Sequence, residues 1–255
     1  MNKSIFFFWF AAIFMTALIF SSQAYSETLV FNTQDFPPFS YKVEGKVKGP
    51  AVEIIKAVCK KINVTCSFRL LPWTRAQNYV KEGKSNAMFV IGWNKARDAW
   101  LYFSPPIMKT EYGFFVKDDN PLEFKDASDV KGYKIGVYGP SNTSRSLEKI
   151  KAKADGLTID LRPDDESGFK KLSGGRVDAV FSNRDVGFAI IKKIHLGNIR
   201  YAGKQRELNY YIGFSKKFNE KQVVDKFNNK FMELYKNGSI KKILDKYFLE
   251  PAVIK

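Results

Sequence analysis

The chain has 255 residues, 42 Lys and Arg against 26 Asp and Glu for a formal net charge of +16, one His and two Cys. That length supports one large domain or two lobes of about a hundred residues each. With so few soft ligands a metal centre is not expected. The basic residues, Lys60, Lys61, Lys170, Lys171, Lys216 and Lys217 among them, are spread along the chain without forming a block, which fits a solvated surface and argues against a nucleic-acid partner.

Residues 1–26 carry one charge at Lys3, an uncharged run from Ile5 to Phe20, and small residues at Ala24 and Ser26. The run is short of the roughly 20 residues a membrane span needs, so the pattern predicts a secretory signal peptide cut after Ser26. No cysteine follows the cut, and lipid attachment there is not expected. In an oxidising compartment the pair Cys59 and Cys66 reads as a disulfide closing a short loop, contributing about 2 to 3 kcal/mol.

After the leader, Leu29 to Phe31 forms an apolar strand that breaks at Pro37 and Pro38. Val52, Ile55, Val58 and Ile62 share one face of a helix opened by Gly49 and Pro50. A strand in TCSFRLL, a helix in WTRAQNYVKEG and a buried strand from Ala87 to Ile91 follow. This strand and helix alternation predicts a mostly parallel sheet flanked by helices.

The second half begins the same way, with a strand in KIGVYG (134–139), a helix after SNTS (141–144), a strand in LTIDLR (157–162), then helix, glycine and strand in ESGFKKLSGGRVDAVFSN. Setting Gly83 on Gly175 aligns GKSNAMF with GRVDAVF and pairs Asn86 with Asp178. Two lobes built alike are expected. The apolar stretches YGFFV (112–116) and YYIGF (210–214) flank the second unit, and a long helical run from Glu220 to Tyr247 ends the chain. The layout predicted is lobe 1 from residues 27–115 and 212–255, with lobe 2, residues 116–211, inserted between them. The chain then crosses the gap twice, and such a cleft binds ligands where strand C-terminal ends face it.

No nucleophile elbow, phosphate loop or dinucleotide fingerprint is present. His195, in KKIHLGN, reads as a surface side chain, and the acidic pairs Asp118–Asp119 and Asp164–Asp165 as residues of polar turns. Binding signals are better. Ser141, Asn142 and Thr143 stand between a strand and a helix, where hydroxyls and free N–H groups hold an anion or simply cap the helix. Arg97 follows the strand Ala87 to Ile91; it is either a carboxylate clamp or an exposed side chain. Phe36, Phe39, Tyr41, Trp73 and Trp93 fall at strand ends, as core or as a stacking wall, and Arg75 is a second cation there or a solvated one.

DFPPFSY beginning at Asp35, GPAVEIIKAVCKKINVTC, RDAWLYFSPPI, GGRVDAVFSN and NGSIKKILDKYF, in that order, resemble family 3 of the bacterial extracellular solute-binding proteins over essentially the whole mature chain. The resemblance implies an α/β periplasmic binding protein of type II, with two lobes joined by a two-strand hinge. It further implies a periplasmic monomer without cofactor that takes a small polar, carboxylate-bearing solute to an ABC-type permease in the inner membrane. Arg97 matches the arginine that grips the ligand carboxylate, completed from lobe 2 by Ser141 to Thr143. Two positions depart from the pattern: Gly92 stands where amino-acid binders carry a hydroxyl, and Asn183, with Asp185 two residues on, where they carry an aspartate for the α-amino group. Two other classes on this scaffold are a dehydratase-like enzyme using Glu53 or Asp185, and a sensing protein that docks on a receptor.

Overall fold

The structure, a computed structural model, describes residues 28–254; the expected signal peptide, residues 1–26, lies outside them. The first group of strands is β1 (Thr28–Thr33), β4 (Thr65–Leu70) and β5 (Ala87–Gly92), all parallel in the order β4-β1-β5. Between them run α1 (Pro50–Ile62) and α2 (Trp73–Lys81), with the small hairpin β2 (Tyr41–Val43) and β3 (Lys46–Lys48) ahead of α1. The second group, in the order β10-β8-β9, is also parallel: β8 (Lys134–Tyr138), β9 (Thr158–Arg162) and β10 (Ala179–Asn183). It carries α4 (Asn142–Lys151), α5 (Asp165–Ser173) and α6 (Arg184–Lys193). The expected two-lobed α/β architecture is therefore present.

Two long strands join the groups. β7 (Met108–Lys117) and β11 (Ile199–Ser215) pair antiparallel with each other, β7 pairs with β10, and β11 pairs with β5 and with short β6 (Leu101–Phe103). The stretches YGFFV and YYIGF thus belong to strands longer than their apolar cores, because β11 spends exposed, polar residues such as Lys204, Arg206 and Glu207 in the crossing.

Helices cover both faces of each group of strands in this one continuous sheet. In lobe 1, α1 and the C-terminal helices α7 (Lys221–Lys236) and α8 (Ser239–Asp245) bury Ile55, Val58, Phe227, Phe231 and Leu244 against Phe31 and Phe214. On the opposite face α2 packs Trp73, Ala76 and Val80 onto Met88 and Ile91. The single terminal helical run expected from Glu220 is two helices, because Gly238 takes a left-handed conformation, φ 78°, after α7 ends. Cys59, near the end of α1, and Cys66, at the start of β4, form the expected disulfide, Cα to Cα 6.3 Å.

The GKSNAMF and GRVDAVF alignment has a structural counterpart. Asn86 Oδ1 accepts the Val30 N–H at 2.8 Å, and Asp178 Oδ2 accepts the Lys134 N–H at 2.7 Å. Each side chain, just before the third strand of its lobe, fastens the first strand.

Candidate functional site

The strand ends of the two lobes face one another. From lobe 1 come Gln34 to Phe36 after β1, Leu71 to Thr74 after β4 and Gly92 at the end of β5; from lobe 2 come Tyr138 at the end of β8 and Asp164 with Asp165 after β9. They enclose a wide cavity of about 750 Å³ and a narrow one of about 30 Å³, which share Gln34, Phe36, Trp73 and Tyr138.

Arg97 lines the narrow compartment. It lies in the single turn α3 (Lys95–Asp98), capped by Asn94, whose Oδ1 accepts the Arg97 N–H at 2.9 Å. The side chain is 5 % exposed. Its Nη1 donates to Gly92 O at 2.8 Å and its Nη2 to Gln77 Oε1 at 3.3 Å, and the guanidinium stands 5.4 Å over the Trp73 ring. These acceptors are neutral. Burial, and then Arg145 nearby, lower its pKa to about 10, so it stays cationic at neutral pH.

Opposite is the N-terminus of α4. Ser141 caps it by accepting the Ser144 N–H, while Ser144 Oγ accepts the Ser141 N–H in return. The capping reading of this segment holds, and Ser141, Asn142 and Thr143 also line the narrow compartment. Tyr112 and Tyr210 line it too. Both are buried, and burial raises both hydroxyl pKa values.

The lobes touch directly here. Asn142 Nδ2 donates to Gly92 O at 3.3 Å, Asn94 Nδ2 donates to Asn142 Oδ1 at 2.9 Å, and Tyr138 OH donates to Gln34 Oε1 at 3.0 Å. A Cβ on residue 92 would come 2.8 Å from Asn142 Nδ2, so the missing side chain leaves the space that Asn142 uses. β5 is shaped for this: Phe89 pairs with Ile212 and Ile91 with Tyr211, leaving Val90 as a bulge with φ 57°. A β-branched residue in that region is strained, and bulges of this kind re-aim the strand end beside a site.

Of the residues expected at the site, Asp35, Phe36, Trp73, Arg97, Ser141, Asn142 and Thr143 line the two cavities. Tyr41, Arg75, Trp93, Asn183 and Asp185 do not. Tyr41 lies on β2 and bonds with Tyr247. Arg75 points to solvent because α2 turns Trp73, Ala76 and Val80 inward. Trp93, 54 % exposed, faces outward. Asn183 is consumed internally: its amide donates to Thr110 Oγ1 at 2.8 Å and Tyr210 OH at 3.1 Å, and its Oδ1 caps α6 by accepting the N–H groups of Asp185 and Val186. Asp185 accepts Thr110 Oγ1–H at 2.7 Å.

The acidic pair Asp164 and Asp165 is more than a polar turn. Asp164 Oδ1 caps α5 through the Ser167 N–H, and Asp165, half-buried, accepts from Ser182 Oγ at 2.7 Å. Burial, reinforced by Asp164, raises the Asp165 carboxyl to about 6. Both line the wide cavity with Asp35 and Glu166. The strand-end rule could have placed Tyr138 and the Asp164–Asp165 pair at the cavities; Gln77, bonded to Arg97, and Tyr112 carry no such signal.

The model of the bacterial extracellular solute-binding proteins, family 3, matches residues 29–250. The chain belongs to this family. Among similar proteins, the probable amino-acid-binding protein YxeM of Bacillus subtilis (strain 168) is 30% identical over 219 residues, 85% of this chain and 82% of that protein. The arginine-binding periplasmic protein of Mannheimia haemolytica is 25% identical over 229 residues, 88% and 92% of the two chains. Among solved structures, an ancestral arginine-binding protein bound to arginine superposes with a TM-score of 0.78 at 28% identity, covering 87% of this chain and 98% of its own. The fold is the two-lobed type II fold of these binding proteins. Among the described residues no helix is long and apolar enough to cross a membrane.

Proposed function

We propose that this family 3 protein captures a small carboxylate-bearing solute between its lobes in the periplasm and presents it to an ABC-type permease. The observation that carries this reading is Arg97: a guanidinium 5 % exposed, bonded only to neutral acceptors, lining a compartment shared with the N-terminus of α4. A buried cation of this kind is stabilised by an anion that takes two parallel hydrogen bonds, and a helix N-terminus supplies further N–H groups and a favourable dipole. Because the solute touches both lobes, it favours the closed arrangement by its differential affinity for it. We take the lobes as residues 27–115 with 212–255, and 116–211, with β7 and β11 as the hinge.

The reading is non-catalytic. Glu53 lies on α1 and pairs with Lys246 at 3.1 Å, Asp185 is tied to Thr110, and neither lines the cavities. The test is calorimetric. Native mass spectrometry of freshly purified protein identifies the co-purifying solute, and Arg97→Ala and Arg97→Lys are titrated with it. Arg97→Ala weakens binding by about 1.5 to 3 kcal/mol, and Arg97→Lys recovers only part because a single ammonium does not reproduce the paired bonds. An unchanged affinity in a folded Arg97→Ala protein overturns the reading.

A further inference from the structure

We infer that the solute carries its carboxylate and its positive charge at opposite ends, as an ω-guanidino or ω-amino carboxylic acid without an ammonium beside the carboxylate. The inference rests on carboxylate capture by Arg97 and adds what the rest of the cleft requires.

The narrow compartment holds about 30 Å³, room for about two water-sized groups, which is the size of two carboxylate oxygens. Among the described residues Arg97 is the one charged side chain in its lining. The space beside Gly92 is taken by the Asn142 amide. An ammonium on the carbon next to the carboxylate would therefore sit near a guanidinium with no acid to receive it. The two residues placed by sequence to serve that role are spent: Asn183 has both amide groups engaged and is 1 % exposed, and Asp185 holds Thr110. Burying a cation unpaired is costly.

The wide cavity has the opposite character. Asp35 from lobe 1 and Asp164, Asp165 and Glu166 from lobe 2 line it. Its two cations, Lys170 and Lys193, both pair with Glu166, at 2.7 and 3.0 Å. Among the described residues Asp35, Asp164 and Asp165 make no direct salt bridge, Lys193 reaching Asp35 and Asp164 only at longer range, and a cationic group there meets carboxylates from both lobes. Phe36, Trp73 and Tyr138, shared by the two cavities, line the passage between the ends, as a short apolar stem needs.

The experiment is a calorimetric series on the full mature protein, stripped of solute by unfolding and refolding. The ligands are 4-guanidinobutyrate, 5-aminopentanoate, L-arginine, L-lysine, agmatine and pentanoate. The ω-substituted acids are expected to bind at least about tenfold more tightly than L-arginine and L-lysine, and Asp165→Asn to weaken 4-guanidinobutyrate but not pentanoate. L-Arginine or L-lysine binding as tightly as the ω-substituted acids overturns the inference and leaves carboxylate capture standing. Pentanoate binding as tightly as 5-aminopentanoate also overturns the inference alone, by removing the cationic end. Agmatine matching 4-guanidinobutyrate overturns carboxylate capture and the inference with it, as does the absence of binding by all six.

Discussion

Gly92→Ser probes how the lobes hold each other. The added Cβ falls 2.8 Å from Asn142 Nδ2, below any relaxed contact, so the amide must swing away. Two bonds between the lobes go with it: Asn142 Nδ2 to Gly92 O and Asn94 Nδ2 to Asn142 Oδ1. Each neutral hydrogen bond contributes about 1 kcal/mol net, so closure loses about 2 kcal/mol, a factor of about thirty in the open-to-closed ratio. Tyr138 to Gln34 remains as a direct bond. The buried apolar clusters are untouched, so thermal stability changes little. Small-angle X-ray scattering of solute-free protein should show a larger radius of gyration than wild type, and calorimetry a weaker apparent affinity in proportion to the closure lost. An unchanged radius with unchanged affinity refutes the argument, because it would mean that the Asn142 contacts do not bias the lobes.

Three further outcomes follow. Asn183→Ala should lower stability by about 1 to 3 kcal/mol in urea unfolding, since it removes the cap of α6 and leaves Thr110 and Tyr210 short of a partner, while solute affinity stays within about twofold because the side chain lines neither cavity. Asp165, raised to about 6, stays protonated longer in the folded state than in the unfolded one. Stability from this group is therefore full below about pH 4, falls as pH rises to about 6, and is flat above. The ceiling is about 3 kcal/mol, reduced to about 1 by solvent in the cleft, and Asp165→Asn should abolish this slope in unfolding measured across that window. Cys59→Ser with Cys66→Ser should lower stability by about 2 to 3 kcal/mol, or about 5 to 10 °C in melting temperature. Affinity should be retained, since the bridge sits at the start of β4, away from the end that faces the cleft.

Much of the architecture was legible because its signals are local. The apolar runs at β1, β5 and β8 and the three-to-four spacing in α1 mark their elements directly. Arg97 and Ser141 to Thr143 were legible as cavity-lining residues because strand ends set their position. Trp93 and Asn183 show where that rule stops. Residue type and placement after a strand are the same for a side chain that enters the cleft and for one that does not. The bulge at Val90 precedes Trp93, and the two N–H groups of α6 claim Asn183; neither is visible in composition. The length of β11 was hidden for a different reason, since its polar stretch around Lys204 to Glu207 pairs with β7 alone, and a strand tolerates polar residues where its faces reach solvent. Asp164 and Asp165 looked like turn residues because the partner that holds Asp165, Ser182 on β10, lies on another strand of the same lobe.

The pairing of β7 with β11, from Lys117 opposite Ile199 to Met108 opposite Tyr210, has a mechanical consequence. Two rails cross-linked along their length resist stretching and sideways slip but yield to torsion. The lobes should therefore swing like a door on its pin rather than slide like a drawer. Thr110, gripped by Asn183 and Asp185, lies close to the pivot, where a substitution changes the stiffness of the swing without touching what is caught.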